Sequence, residues 1–318
     1  MELDGDGNPR RLTGTLELAD LRGDRSRHRR EQVVRGAFGA AAAVSVLVSA
    51  AIVYSLFGEA LNFVSQIELS QLWERGWFPR RGLFDVHTIL VGTLVVTGIG
   101  MLFAIPLGLG AAIYLAEYAR PRVRKLVKPA LEVIGGIPSV VIGFFALTFL
   151  SPSIVQRLND SSTIFNMAAA GLGVGILVTP LIATIAEDAL RAVPMSLREG
   201  SYALGARKRV VTLRTVLPAA VSGIVAALIV GFSRAFGETM VVAIASGATG
   251  GSLLTFDPFG PGQTMTAAMA SLAIGSDQVQ GDAAAFQSLF FVGVVLFFLT
   301  LALNLVSERF VRRVRKRY

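Results

Sequence analysis

Six long apolar stretches constrain this chain more than anything else it contains. They occupy residues 36–58, 87–116, 127–150, 163–186, 217–246 and 286–307, and each is close to the roughly 20 residues that a helix needs to cross a hydrocarbon layer about 30 Å thick. In lipid every backbone N–H and C=O must be satisfied within the protein, so such a run is either helix or barrel strand. These runs are continuous rather than alternating with period two, which excludes a β-barrel. The expected fold class is therefore all-α integral membrane with six transmembrane helices. Composition agrees: 53% of the 318 residues are hydrophobic and 16% charged, too few polar groups to cover a soluble core of this size.

The same sequence excludes several chemistries. Without cysteine there is no disulfide, thiolate nucleophile or thiolate metal ligand. Two histidines, His28 and His87, do not make a zinc site unaided, so no metal and no cofactor is expected. No Gly-Lys pair occurs, hence no Walker A loop. The stretches LGLGAA (107–112) and GLGVG (171–175) resemble phosphate loops in composition only; small residues in membrane helices permit close packing. No enzyme chemistry is legible. The net charge of +8 sits in clusters flanking apolar spans, which fits anionic lipid and topology rather than nucleic acid.

Those clusters also orient the chain. Lys and Arg number 8 in residues 1–35, 5 in 117–128, 6 in 187–215 and 6 after Ser307, 25 altogether, against 4 in the connections 59–86, 151–162 and 247–285. Basic residues stay on the cytoplasmic side, which predicts two cytoplasmic termini in a plasma-membrane protein. The domains follow: a disordered tail over 1–35 ending in RSRHRR, a first transmembrane helix over 36–58, an extracytoplasmic loop over 59–86, a five-helix transmembrane domain over 87–307 and a basic tail over 308–318. Apolarity begins only at Gly36, too late for a cleavable signal peptide. In the loop 59–86, Phe63, Ile67, Trp73 and Trp77 are placed to lie along the outer membrane interface, with contact to an extracytoplasmic protein as the alternative. Residues 247–285 have an apolar centre at 264–274, too short to span and suited to a partly inserted helix.

Two features carry functional information. Arg234 and Glu238 lie inside the apolar run 217–246, where a central charge costs about 2.5–3.5 kcal/mol on insertion scales. Spaced four apart, they share a helix face about 6 Å apart along the axis. Either they neutralise each other in a structural lock, or Arg234 offers positive potential to an anionic solute while Glu238 holds the guanidinium; Thr239 joins the same candidate pathway. The second feature is EGSYALGARKRVVTLRTVLP, residues 199–218. Ser196 is predicted to cap a short helix, with Glu199 completing a capping box and Gly205 ending it in a left-handed turn. A second short helix follows, whose Arg207, Lys208, Arg209 and Arg214 stay at the water boundary. That leaves Tyr202, Ala203 and Leu204 for a partner's groove.

This second feature resembles the EAA loop of ABC importer permeases, whose pattern is Glu-Ala-Ala, three residues, Gly, nine residues, Ile, one residue, Leu-Pro. Glu199, Gly205, Leu217 and Pro218 keep the register; Gly200, Ser201 and Thr215 depart from it. The stretches GGIPSVVIGFF (135–145, containing Ile137, Pro138 and Ser139), SRAFGETM (233–240) and PGQTMTAAMA (261–270) together resemble the permeases of phosphate-specific ABC importers. Gly237-Glu238-Thr239-Met240 resembles their PstC-type subunit. The resemblance implies a type I ABC importer permease architecture in which residues 196–218 couple to a separate cytoplasmic ATPase. It also implies three partners: a second, homologous phosphate permease, two ATPase copies and an extracytoplasmic phosphate-binding protein. Arg234 and Glu238 match residues implicated in transport there. Sulfate or molybdate importers are the alternative within the class. An ion-coupled secondary transporter with Arg234 and Glu238 as a proton relay, or a membrane scaffold, is the alternative outside it.

Overall fold

The computed structural model of the protein describes residues 25–74, 76–247, 250–274 and 283–315. Six of its helices are long and apolar enough to span a membrane: Arg29–Gln66, Val86–Tyr118, Ser139–Leu158, Met167–Arg191, Lys208–Phe236 and Ala284–Val306. The described residues fall into two separate units, divided between Ser55 and Leu56. Helix α1, Arg25–Gln66, starts before the first apolar run, so residues 25–35 are helical rather than the disordered tail expected of them. Arginine is a good helix former, and a helix already nucleated in lipid extends cheaply through it. Residues 1–24 lie outside the described residues. From 29 to 55 every side chain is exposed, the condition of a helix whose solvent is lipid.

In the second unit the end of α1 leads to a two-stranded hairpin, β1 (Trp77–Phe78) and β2 (Leu83–Phe84), and then to α2 (Val86–Ile113). Asp85 caps α2, accepting from the His87 amide at 3.0 Å and the Thr88 hydroxyl at 2.7 Å. Phe63 and Trp77 do not line an outer interface: they are 0% and 1% exposed and pack with Phe84, Ile89, Met265 and Val292. Of the four residues expected there, Trp73 is the one that is largely exposed, at 65%. Phe63 of α1 and Trp77 of β1 both meet Phe84 of β2 edge-on, with ring centroids 5.0 and 6.4 Å apart, and burying so large an aromatic surface stabilises the cluster more than an interfacial position would.

A π-helical turn, Tyr114–Tyr118, extends α2. Helices α3 (Pro121–Gly135) and α4 (Ser139–Phe145) replace the single span expected over 127–150. Pro138 has no amide to donate and pushes the residue before it out of the α region, so the chain breaks at Gly136-Ile137-Pro138. The membrane span proper starts at Ser139 and runs through π-helical residues Ala146–Val155 into α5 (Gln156–Leu158). Helix α6 (Met167–Arg191) carries Pro180 without interruption, as α2 carries Pro106. Then come α7 (Met195–Ala203), α8 (Lys208–Val211) and α9 (Leu217–Phe236), the last two joined by a π-helical turn, Thr212–Val216. Helices α10 (Met240–Ala245), α11 (Met265–Ile274) and α12 (Ala283–Arg315) complete the described chain. The fifth span therefore ends at Phe236 rather than at 246, and α11 is a short apolar helix at the apolar centre expected over 264–274.

Glycines set the contact between α2 and α6. A Cβ on Gly100 would lie 3.0 Å from the Gly171 carbonyl oxygen, and one on Gly175 would lie 2.8 Å from that of Gly100. The backbones of α2 and α6 thus touch directly, the packing that small residues allow in lipid. Around α6 the main core gathers Val96, Met101, Ile142, Val174, Val178 and Ile182 among others.

Candidate functional site

Arg234 stands in the last turn of α9, and Gly237 ends that helix. Glu238, the next residue, is only 2% exposed and holds two elements at once. One carboxylate oxygen, Oε2, lies 2.7 Å from Nη1 of Arg234, and Oε1 accepts the Val241 amide at 3.3 Å. It therefore satisfies a donor at the start of α10 that would otherwise be orphaned. The break is fixed from the other side by the Thr266 hydroxyl, which donates to the Glu238 carbonyl at 2.8 Å. Thr239 is half-buried beside it, its hydroxyl turned back to the Gly237 carbonyl at 3.3 Å.

Unlike its partner, the Arg234 side chain is 46% exposed. It lines a cavity of about 390 Å³ with Glu132 and Gly135 of α3 and Leu177, Pro180 and Thr184 of α6. A guanidinium has five donors in a planar fork, so donors beyond the one facing Glu238 remain for a solute. The structure thus brings Gly135 of the GGIPS stretch to the same cavity as Arg234. Ile137 packs on the main core and Pro138 caps α4 without entering that cavity. Just beyond, a Cβ on Gly143 would meet the Met240 carbonyl oxygen at 3.1 Å, so α4 and α10 are in backbone contact.

At the other end, α7 runs as expected to a left-handed Gly205, φ +77°. The Gly205 and Ala206 amides donate to the Tyr202 and Ser201 carbonyls at 2.9 and 3.2 Å, closing the helix end. Its start differs from expectation: Pro194, not Ser196, is the N-cap, and no side chain caps the helix. Proline sets the entry geometry and displaces Ser196 into the first turn, so no capping box with Glu199 forms. Glu199 and Gly200 are exposed, as are Tyr202 at 46% and Leu204 at 89%, while Leu217 and Pro218 begin α9. Ser201 and Thr215, both departures from the EAA pattern, lie 3.0 Å apart hydroxyl to hydroxyl.

Two ion-pair groups escaped the sequence reading. Arg198 of α7 reaches Glu117 at 2.5 Å, with side chains 12% and 4% exposed, and donates to the Leu190 carbonyl at 2.8 Å. Those contacts tie α7 to the ends of both α2 and α6. Glu187, fully buried in α6, faces Arg124 at 2.8 Å and Lys128 at 3.0 Å of α3. Lys128 also reaches Asp188 at 2.8 Å, and that hydrogen bond, supported by Glu187 against the opposing effect of burial, holds its pKa above the ordinary lysine value. The signal available in the sequence was the acidic pair 187–188 closing an apolar span; nothing local named its partners.

The arrangement is a helix-break ion pair opening on a cavity, and an exposed short helix wired to two spans. Comparison with known proteins places it. Residues 104–318 match the family "Binding-protein-dependent transport system inner membrane component". The chain belongs to this family. Among its relatives, "Phosphate transport system permease protein PstC 1" of Mycobacterium tuberculosis is 35% identical over 258 residues, 75% of each chain. "Probable ABC transporter permease protein YqgH" of Bacillus subtilis is 34% identical over 242 residues, 73% of this chain and 77% of that one. A bacterial ABC transporter for import of the polysaccharide alginate has a TM-score of 0.60 at 17% identity over 89% of this chain and 99% of that one, which speaks for fold alone. The type I ABC importer permease architecture, all-α with six membrane helices, is thereby established for this family member.

Proposed function

We propose that this permease subunit carries inorganic phosphate inward across the cell membrane as part of an ATP-driven, binding-protein-dependent importer. The observation that carries the reading is Arg234, half-exposed on a cavity between α3, α6 and α9 and oriented by a buried Glu238. Arg234 attracts the anion once it sheds water; Glu238 fixes the guanidinium and tempers its field so that the anion also leaves. The names of the PstC relatives support phosphate over sulfate or molybdate. ATP hydrolysis belongs to a separate cytoplasmic subunit, present twice, which docks on residues 196–218. A second, homologous permease and an extracytoplasmic phosphate-binding protein complete the assembly, with both termini of this chain cytoplasmic.

The deciding experiment is Arg234→Gln. Expected are co-purification of the other subunits and loss of phosphate uptake, with partial recovery in Arg234→Lys, which keeps charge and loses the planar fork. Wild-type uptake in Arg234→Gln would remove Arg234 from the pathway, and uptake without any ATPase would favour the ion-coupled alternative. A reporter fused after Tyr318 is expected to be active only in the cytoplasm; external activity would reverse the orientation.

A further inference from the structure

A larger cavity, about 600 Å³, lies between the end of α2, the outer face of α3 and the last turn of α6. Four cations line it, Arg124, Lys125, Lys128 and Arg191, against one carboxylate, Glu132. Behind the wall, Glu187 and Asp188 engage Arg124 and Lys128 at 2.8–3.0 Å. Arg191 stands 4.0 Å from the Glu187 carboxylate and Lys125 is exposed with no ion pair among the described residues. Arg124 gives Nη2 to Glu187 at 2.8 Å and its side chain stays 27% exposed. The positive end of α3, starting at Pro121 without a side-chain cap, faces the same space.

Glu132 borders both this cavity and the one that holds Arg234. Lys128 is one turn of α3 away from it, about 6 Å along the axis, and Arg124 one turn further. Glu132 therefore stands between the Arg234 cavity and a wall of four cations, three of which share the carboxylates of Glu187 and Asp188.

We infer that this basic cavity is a second binding site for a phosphate group, distinct from the one at Arg234 and separated from it by Glu132. The inference rests in part on the phosphate reading of the permease. The same chemistry has two sources, inorganic phosphate on its way out and the phosphodiester of an anionic lipid; a lysine-arginine wall at a membrane boundary receives either.

The chain has no cysteine, so Ala119→Cys, half-buried on the cavity wall, supplies one reporter. Full-length protein with its co-purifying subunits is placed in nanodiscs of neutral phosphatidylcholine, with or without anionic phosphatidylglycerol. Labelling by uncharged N-ethylmaleimide is followed on this chain by mass spectrometry at constant ionic strength. Protection follows occupancy, so phosphate at ten times its dissociation constant slows labelling about tenfold. Slowing by inorganic phosphate in neutral discs identifies the free ion; slowing only in anionic discs identifies the lipid headgroup. In either case the pair Lys125→Gln and Arg191→Gln restores the unprotected rate, and Lys125→Arg with Arg191→Lys keeps protection. No slowing by either source, or slowing untouched by Lys125→Gln and Arg191→Gln, overturns the site. Protection that survives Arg234→Gln separates this inference from the Arg234 reading: uptake then tests the one and labelling the other.

Discussion

Arg198→Met tests how the short helix is wired to the spans. The wild-type pair closes at 2.5 Å with side chains 12% and 4% exposed, and a second Nη donates to the Leu190 carbonyl at 2.8 Å. Methionine keeps the aliphatic length and strands Glu117. Removing one partner of a buried ion pair costs about 3–5 kcal/mol, and the lost carbonyl bond adds about 1 kcal/mol. Helix α7 has no fully buried residue, so undocking it costs less than unfolding the bundle, and the loss falls on the docking equilibrium. At about 1.4 kcal/mol per decade, even the lower end of the ion-pair cost alone, about 3 kcal/mol, is a shift of roughly two orders of magnitude. Hydrogen exchange on the peptide 195–206 of the full-length protein should therefore show protection lowered at least about a hundredfold. Glu117→Gln added to Arg198→Met removes the stranded charge and should return most of it, a coupling of at least about 2 kcal/mol. Wild-type protection in Arg198→Met, or a double variant no better than the single, would refute the reasoning.

Three further outcomes are expected. Gly205 sits at φ +77° with nothing within 4 Å of an added Cβ, so Gly205→Val pays only backbone strain of about 1–2 kcal/mol; the chain should still insert while ATP hydrolysis per solute transported rises, and Gly205→Asn should be milder. Gly171→Ala drives a methyl to 2.8 Å from Ile99, an overpacking cost of about 1–3 kcal/mol visible as a lowered thermal midpoint in detergent, whereas Gly110→Ala, with open space around it, should not lower it. Lys128 has a pKa raised above the ordinary lysine value by its hydrogen bond to Asp188, so its contribution is complete below that ordinary value and disappears as pH rises through the folded one; the stability gap between wild type and Lys128→Met should stay constant through neutral pH and narrow only in strong alkali, and narrowing near neutrality would contradict the ion-pair geometry.

Hydropathy found six spans because lipid imposes length and apolarity on each. It missed both breaks, since Met240–Ala245 is as apolar as α9 before it and since Gly136-Ile137-Pro138 interrupts the backbone without interrupting the oil. Gly205 was legible because a left-handed turn asks for glycine locally; the cap of α7 was misassigned because Pro194 and Ser196 compete at the same helix start. A rule about amphipathic rings puts Phe63 and Trp77 at an interface, but it does not see Phe84, on which both rings pack in one buried cluster. Arg234 and Glu238 stood out as charges among apolar neighbours. Glu132 did not, because its place on two cavities depends on how α3 lies against α6, and the Arg198 to Glu117 pair spans 81 residues, beyond any local pattern.

The hydroxyl contact between Ser201 and Thr215 bears on how chimeric permeases should be built. Scored position by position against the EAA pattern, each residue counts as a separate fault; in space they are one half-buried contact between α7 and the π-helical turn that leads into α9. Restoring alanine at 201 alone leaves the Thr215 hydroxyl facing a methyl group and short of its partner, whereas restoring isoleucine at 215 alone leaves Ser201 its bond to the Leu197 carbonyl at 2.9 Å but sets a bulky apolar side chain against the hydroxyl. Exchanging both together trades a polar seam for an apolar one of similar size. Grafts of this loop between transporters should therefore move 201 and 215 as a single epistatic unit, and a library that varies them independently will undervalue both parental states.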